Sequence, residues 1–146
     1  MKKWITNTYE ETRKVGVDFA DHLHGGEVIT LEGELGAGKT TFMQGLAKGL
    51  GIANNIISPT FIIMRRYVLP LGRRVKMLYH IDLYRITQEK DIIDLGLPEL
   101  MGDPENIVAI EWPEIMAGVL PENTIRIKIV YSGDTQRTLT IEPFIG

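Results

Sequence analysis

One stretch of the chain has the residue types and the spacing of a phosphate-binding loop. Residues 33–40 read GELGAGKT, which fits the Walker A pattern of Gly, any four residues, Gly, Lys and Thr. Glycines let a backbone wrap closely around phosphate, with its N–H groups pointing inward. In this pattern Lys39 supplies a cation to the outer phosphates, and the hydroxyl of Thr40 can ligate magnesium. The residues therefore predict a site for ATP with magnesium.

Two hydrophobic runs later in the chain each end in a carboxylate. Residues 77–81 lead into Asp82, and residues 107–110 lead into Glu111. A phosphate-binding loop needs a second strand that ends in an acid, because that acid holds magnesium or orients the attacking water. Either acid could instead cap a helix or pair with a nearby arginine. Spacing alone does not decide which of the two faces the metal.

Two further side chains adjoin these acids. One residue separates His80 from Asp82, so in a strand both point to the same face. A structural role for His80, or a role in supporting the metal-binding carboxylates, is favoured over a zinc site. The other two histidines of the chain lie far away, near the end of the first predicted helix. Trp112 follows Glu111, and we expect it to pack in the core, as a large aromatic side chain usually does.

The phosphate-binding loop needs a strand before it and a helix after it. Residues 28–31 read as a short buried strand, and a helix is predicted from about Lys39 to a stop at Gly51. Upstream, Thr8 and Glu11 have the spacing of a capping box. Apolar residues recur every four positions from residue 15 to residue 23, which predicts an amphipathic helix that the glycine pair at 25–26 ends.

The second half of the chain is rich in strand-forming residues. Residues 61–69 and 75–81 flank a Pro-Leu-Gly turn and predict a hairpin, and residues 87–101 hold one or two short helices. Further strands are predicted at residues 107–110, 124–131 and 137–141. The pattern favours a single three-layer α/β domain over residues 1–146, with a mixed central sheet whose strand order the sequence does not reveal.

The composition excludes several classes of protein. The chain has 146 residues, of which 44% are hydrophobic and 24% are charged, and it has no cysteine, as suits a reducing cytosol. It has no apolar run of about 18 residues and no apolar stretch after its basic start, so neither a membrane span nor a signal peptide is predicted. The net charge of −3 argues against tight autonomous binding to nucleic acid. We expect a cytoplasmic protein.

Four motifs together resemble one known family. They are GELGAGKTT at residues 33–41, SPTF at 58–61, HIDLYR at 80–85 and EWP at 111–113. In this order and spacing they resemble the bacterial TsaE (YjeE) family, the P-loop ATPase of tRNA threonylcarbamoyladenosine (t6A) synthesis. The Walker A motif is shared by many proteins, whereas this combination is specific, and the resemblance covers nearly the whole chain.

The resemblance implies a role for each matched residue. Lys39 binds phosphate, and Thr40 and Glu111 hold magnesium. Asp82 assists hydrolysis or belongs to the metal shell, and Thr60 lies in a switch-like loop near the γ-phosphate. The implied nucleotide-binding residues are Tyr9, Gly33, Glu34, Leu35, Gly36, Ala37, Gly38, Lys39, Thr40 and Thr41.

The resemblance also implies an activity and partners. Family members contact adenine from the start of the first helix, which here corresponds to Thr8 and Tyr9. The family works with the TsaD and TsaB proteins, which transfer a threonylcarbamoyl group to the adenosine 3′ of the anticodon in tRNAs reading codons that begin with A. The ATPase is expected to be slow alone and to support turnover of that assembly without transferring the group itself. It acts on tRNA indirectly, and whether it also contacts tRNA directly stays open.

Two other classes of function stay open. One is a small-molecule P-loop kinase, which usually needs a substrate-closing lid with arginines, and no long insertion of that kind is evident. The other is a nucleotide-dependent binding module with negligible turnover.

The chain also departs from the family pattern. Glu34 replaces an aspartate that is usual in the loop. Arg65 and Arg66 lie where the family strand is often acidic. With Arg73 and Arg74 across the turn they predict a basic cluster, which either approaches tRNA or is a set of solvated hairpin charges.

Overall fold

The computed structural model describes residues 1–34, 36–53, 55–56 and 63–143. Its strands are β1 (Lys2–Thr6), β2 (Val28–Glu32), β3 (Met64–Val68), β4 (Met77–Asp82), β5 (Asn106–Glu111), β6 (Ile125–Tyr131) and β7 (Arg137–Glu142). Its α-helices are α1 (Tyr9–Ala20), α2 (Lys39–Gly49), α3 (Glu89–Asp94) and α4 (Leu97–Met101), and a short 3-10 helix covers Pro113–Met116.

The strands form one mixed sheet in the order β1-β7-β6-β2-β5-β4-β3. The central strand β2 runs parallel to both β5 and β6, and β4 runs parallel to β5. The outer strands β1, β3 and β7 each pair antiparallel with their neighbours. As a result β2, β4 and β5 all end at the same edge of the sheet, and the loops that follow them meet there.

Helices cover both faces of the sheet. On one face α1 and α2 pack onto the central strands, and the fully buried Phe42 and Leu46 lie at that contact. On the other face α3, α4 and the 3-10 helix contribute Ile92, Leu97 and Met116 to a second apolar cluster. The predicted three-layer α/β architecture with a mixed sheet is therefore confirmed.

The helices α1 and α2 run alongside each other with their backbones in contact. A Cβ atom added at Gly16 would lie 2.4 Å from the carbonyl oxygen of Phe42, and one added at Gly45 would lie 2.0 Å from the carbonyl oxygen of Arg13. Real Cβ atoms do not approach backbone this closely, so only glycine fits at these two positions. The contact fixes the start of α1 relative to the start of α2.

This contact predicts a stability effect. We expect Gly45→Ala to lower the free energy of unfolding by about 1–3 kcal/mol, because the added methyl group forces the two helices apart. The measurement is urea unfolding followed by circular dichroism. Gly102→Ala is the matched control, since a Cβ there would have its nearest neighbour at 3.7 Å and the residue already has right-handed helical angles. A Gly45→Ala protein as stable as the control would contradict the close contact.

The start of α1 is as predicted, and its end is not. The hydroxyl of Thr8 accepts the N–H of Glu11 at 3.1 Å, which confirms the capping arrangement. The helix ends at Ala20, several residues before the glycines at 25–26. Those glycines instead form the turn into β2, where the carboxylate of Glu27 accepts the N–H of Gly25 at 2.7 Å.

The remaining elements differ from the predictions mainly at their ends. The predicted strand at residues 61–69 is observed as β3, and residues 61 and 62 lie outside the described part of the chain. The segment 87–101 forms the two short helices α3 and α4. The strand β1 was not predicted, because most of its side chains are exposed and it has no apolar face to recognise. None of the described helices is both long and apolar enough to cross a membrane.

Candidate nucleotide-binding site

The phosphate-binding loop lies between the end of β2 and the start of α2. The N-cap residue of α2 is Gly38, whose φ of 115° suits glycine, and no side chain of the described residues caps this helix end. The first N–H groups of a helix carry a partial positive charge and bind anions. The strand–loop–helix context that the Walker A pattern predicts is therefore present, with Leu35 outside the described residues.

A cavity of about 320 Å³ opens over this loop, within the size range of ligand pockets. It is lined by Tyr9, Gly36, Gly38, Lys39, Thr40, Thr41, Asp82, Tyr84, Glu111 and Trp112. The cavity thus brings the loop together with both predicted carboxylates and with the start of α1. Gly33, Glu34 and Ala37 belong to the same loop without lining this cavity, and Thr60 lies outside the described residues.

Lys39 lies at the floor of the cavity with 5% of its surface exposed. Its ammonium group donates to the carbonyl oxygen of Gly33 at 2.7 Å and lies 4.0 Å from the centre of the Trp112 ring. Burial lowers the pKa of Lys39, and the negative charges of Glu111 and Asp82 act in the opposite direction. The amine is therefore held in a fixed position beside two carboxylates, where it can bind a phosphate oxygen.

The two carboxylates lie on adjacent parallel strands and in the same register. Asp82 ends β4, Glu111 ends β5, and the two residues are direct partners in the ladder. The N–H of Leu83 donates to the carbonyl oxygen of Glu111 at 3.1 Å, which holds the two strand ends together. Both side chains are buried and face the cavity.

The environment of Asp82 differs from that of a surface aspartate. Its carboxylate accepts the N–H of Tyr84 at 2.9 Å. Burial raises the pKa of Asp82 above its ordinary value, the Tyr84 N–H lowers it, and the charge of Glu111 raises it further. A cation placed between the two carboxylates would remove the repulsion that Glu111 exerts on Asp82.

The imidazole of His80 contacts the carboxylate of Glu111. Its Nε2 atom lies 2.6 Å from a carboxylate oxygen of Glu111, and the imidazole is fully buried. Its Nδ1 atom has no hydrogen-bond partner among the described residues. This position agrees with a role in orienting a metal-binding carboxylate. In the described part of the chain, no group of three or more His, Cys, Asp or Glu side chains is placed to hold a metal ion.

The expectation that Trp112 packs in the core is wrong. Its backbone has φ 56° and ψ 59°, a left-handed conformation that is rare for a bulky residue. This conformation turns the chain from β5 into the 3-10 helix and directs the indole toward the cavity, where it packs 4.9 Å from the Tyr84 ring. Strained backbone clusters at functional sites. The sequence offered one signal for this placement, the position of Trp112 directly after a strand-terminal acid.

The oxygen donors at this cavity suit magnesium. Thr40 provides a hydroxyl, and Asp82 and Glu111 provide carboxylates, all lining the same cavity. Magnesium prefers hard oxygen ligands and is usually held by one or two carboxylates together with substrate phosphates. The donor set therefore fits this ion, and both acids remain candidates for direct contact.

A second cavity of about 260 Å³ adjoins the first one and shares Tyr9 and Gly38 with it. It lies between the start of α1 and the turn that joins β6 to β7. Its lining residues are Asn7, Thr8, Tyr9, Glu10, Thr12, Gly38, Asp134, Thr135 and Arg137. The family resemblance implied an adenine contact near Thr8 and Tyr9, and both residues line this cavity. The position of the β6–β7 turn beside them was not predicted.

The four hairpin arginines do not form one cluster, contrary to expectation. Arg65 pairs with His80 in the β3–β4 ladder, near the end of the hairpin that carries Asp82. Arg66 lies on the opposite face of the sheet from Arg65, because side chains alternate along a strand. Arg73 and Arg74 lie at the other end of the hairpin, beside His24 and Leu50.

Comparisons with known proteins point to one family. A family model described as "Threonylcarbamoyl adenosine biosynthesis protein TsaE" matches residues 6–139. A protein of Bacillus subtilis named as a tRNA threonylcarbamoyladenosine biosynthesis protein TsaE is 41% identical, over 94% of this chain and 83% of its own length. The protein of the same name from a Nostoc species is 40% identical, over 99% of this chain and 87% of its own length.

A solved structure shares the fold of this chain. A crystal structure of Bacillus subtilis YdiB superposes with a TM-score of 0.74 and 33% sequence identity, covering 96% of this chain and 83% of the other. The family predicted from the four motifs is thus confirmed by the match over residues 6–139 and by relatives of nearly full length. This chain belongs to the TsaE family.

Proposed function

We propose that this protein is a magnesium-dependent ATPase of the cytoplasm that acts in the formation of threonylcarbamoyladenosine on tRNA. One observation carries the proposal: a single cavity joins the phosphate-binding loop, the buried Lys39 and the two register-matched carboxylates Asp82 and Glu111. A phosphate-binding loop combined with strand-terminal acids is the arrangement that P-loop NTPases use for hydrolysis.

Each group has a task that follows from its position. The N–H groups at the start of α2 and the ammonium of Lys39 would bind the phosphates, and Thr40, Asp82 and Glu111 would hold the metal. Bound magnesium would neutralise charge that develops on the transferred phosphoryl group. His80 keeps the Glu111 carboxylate oriented, since its Nε2 atom lies within hydrogen-bonding distance of that carboxylate. The rings of Trp112 and Tyr84 form one wall of the cavity.

The second cavity is the proposed place of the nucleoside. It continues from the phosphate-binding loop through Gly38 and Tyr9, so a nucleotide whose phosphates lie on the loop extends into it. The exposed ring of Tyr9 at the rim can stack on a base. The hydroxyl and carboxylate groups of Thr8, Glu10 and Asp134 offer polar contacts for base and ribose.

The proposed partners are the TsaD and TsaB proteins, and tRNA is contacted through them. The relatives of this chain are named as proteins of t6A biosynthesis. We propose that Thr60 and its SPT segment, which lie outside the described residues, sense the γ-phosphate and couple nucleotide state to partner binding. Ordering of a loop by a γ-phosphate is a recurrent device in P-loop proteins.

The test is partner binding as a function of nucleotide. We expect the affinity for a TsaD–TsaB complex to differ by about 5- to 150-fold between a non-hydrolysable ATP analogue and ADP, a range that corresponds to a coupling of about 1–3 kcal/mol. Calorimetry or surface plasmon resonance would measure it, with the same titration repeated on Thr60→Ala, in which the dependence should weaken. Isolated hydrolysis should be slow and should rise when the partners are added.

Other outcomes separate the remaining classes of function. Equal affinity in all nucleotide states with negligible turnover would leave a passive binding module. Absence of partner binding in every state, together with phosphate transfer to a small molecule, would make the protein a kinase and overturn the proposal.

A further inference from the structure

The outer side of the phosphate-binding loop is held by two residues that no motif includes. In such a loop the N–H groups point inward, so the carbonyl groups point outward and need partners of their own. These partners come from the last hairpin, where Tyr131 ends β6 and Arg137 begins β7. The two residues are direct partners in the antiparallel ladder and therefore lie side by side.

Both residues donate hydrogen bonds to loop carbonyls. The Nε atom of Arg137 donates to the carbonyl oxygen of Ala37 at 3.0 Å. The hydroxyl of Tyr131 donates to the carbonyl oxygen of Gly36. The guanidinium carbon of Arg137 lies 3.9 Å from the centre of the Tyr131 ring, so the aromatic ring and the cation hold each other in place.

The charge of Arg137 is buried, and no ion pair to it is found among the described residues. Only 9% of its surface is exposed, and among the described residues its partners are backbone carbonyls and the Tyr131 ring. No carboxylate of the described residues forms a salt bridge with it. Burying a charge this way is costly. The positive charge lies beside the loop, bonded to the Ala37 carbonyl, and at the wall of the second cavity, where it favours an anion nearby.

Peptide geometry connects these bonds to the binding side of the loop. The C=O and N–H of a trans peptide point in opposite directions. Arg137 holds the Ala37 carbonyl outward, so the N–H of Gly38 in the same peptide turns toward the cavity that Gly38 lines. In the preceding peptide, Tyr131 holds the Gly36 carbonyl while the Ala37 N–H donates to the carbonyl of Glu34 at 3.0 Å.

We propose that Tyr131 and Arg137 form a brace that fixes the phosphate-binding loop in its binding conformation and thereby sets its affinity for a nucleoside diphosphate. Tyr131 is a positioning residue that acts through the backbone of Gly36. Arg137 acts through the peptide that joins Ala37 to Gly38 and also lines the second cavity, so Tyr131→Phe is the variant that isolates the brace. The proposal rests on the nucleotide binding proposed above.

The test is ADP affinity, measured by calorimetry, in Tyr131→Phe and Arg137→Gln. The Tyr131→Phe protein keeps the ring under the guanidinium and loses one hydrogen bond, so its dissociation constant should rise about 3- to 10-fold. The Arg137→Gln protein loses a charged donor and should bind about 10- to 100-fold more weakly. The matched control is Ser132→Ala, which removes a hydroxyl that bonds to Gln136 in the same hairpin and does not reach the loop.

A second measurement distinguishes a brace from a purely structural contact. Tyr131 is partly exposed and Gly36 is exposed, so water can replace the lost bond and the Tyr131→Phe protein should unfold at the same urea concentration as the control when no nucleotide is present. Lower stability with unchanged ADP affinity would overturn the brace. Equal ADP affinity in the unmodified chain and Tyr131→Phe would also overturn it. Absence of ADP binding in the unmodified chain would overturn the proposed function as well.

Discussion

Magnesium-dependent ATP hydrolysis is expected to fall by about 100- to 1000-fold when Glu111 is replaced by Gln, because metal stabilisation of a phosphoryl group contributes several kcal/mol and each 1.36 kcal/mol is a factor of ten. Glu111 ends β5 with its carboxylate in the cavity, opposite Asp82. Glutamine keeps the size of the side chain and an oxygen that can accept from His80, so the fold should be retained.

The measurement is phosphate release with the partners present, together with ADP affinity in the absence of magnesium. The affinity should change by less than about threefold, since the backbone loop and Lys39 still hold the phosphates. Glu114→Gln is the matched control. It removes an exposed carboxylate three positions further along, which contributes to the field at Lys39 and does not line the cavity.

The same experiment with Asp82→Asn compares the two acids. Asparagine retains an oxygen that can accept the Tyr84 N–H, so the local turn should be kept. Each variant is titrated with magnesium to find the concentration that gives half-maximal hydrolysis. The acid whose replacement raises this concentration more is the one in closer contact with the metal. Hydrolysis that persists at the original rate in Glu111→Gln would show that the metal assignment is wrong.

Replacement of Lys39 by Ala is expected to weaken ATP binding by about 10- to 100-fold. A hydrogen bond to a charged group contributes about 1.5–3 kcal/mol, and each 1.4 kcal/mol is a factor of ten in affinity. The ammonium group lies at the floor of the cavity, held by the Gly33 carbonyl and the Trp112 ring, so its position requires little rearrangement for phosphate.

This substitution should leave the fold intact. Burial lowers the pKa of Lys39, so the charged amine is less favourable in the folded protein than in the unfolded chain, and removing it relieves that cost. Lys48→Ala on the exposed last turn of α2 is the matched control. Calorimetry with ATP and magnesium should show the loss in Lys39→Ala and not in the control. Unchanged ATP affinity in Lys39→Ala would show that the loop is not part of the ATP-binding site.

Much of the candidate site could be predicted from local sequence. The Walker A pattern is contiguous, and its chemistry depends on backbone and on the helix that directly follows, so the strand, loop and helix around Lys39 were all recognisable. The acids were recognisable for a related reason, since each ends an apolar run of strand length. Both kinds of signal lie within a few neighbouring residues, where periodicity and spacing are informative.

The missed features depend on contacts between distant segments. The opposition of Asp82 and Glu111 requires β4 and β5 to be neighbours in the sheet, and strand order leaves no trace in local periodicity. Arg137 contacts the loop from 100 positions away and Tyr131 from 95. Trp112 was misplaced because its position depends on one left-handed backbone angle, which the default preference of tryptophan for the core does not reveal.

The glycine contact between α1 and α2 has a consequence for selectivity. Tyr9 begins α1 and Lys39 begins α2, and the close backbone contacts near Gly16 and Gly45 hold the two helices together. If the nucleotide binds as proposed, the separation between the ends of the site that take its base and its phosphates is then set before the ligand arrives. A preformed site of this kind loses less entropy on binding. It also favours ligands whose length matches that separation, so we expect a compact mononucleotide to bind better than a longer dinucleotide.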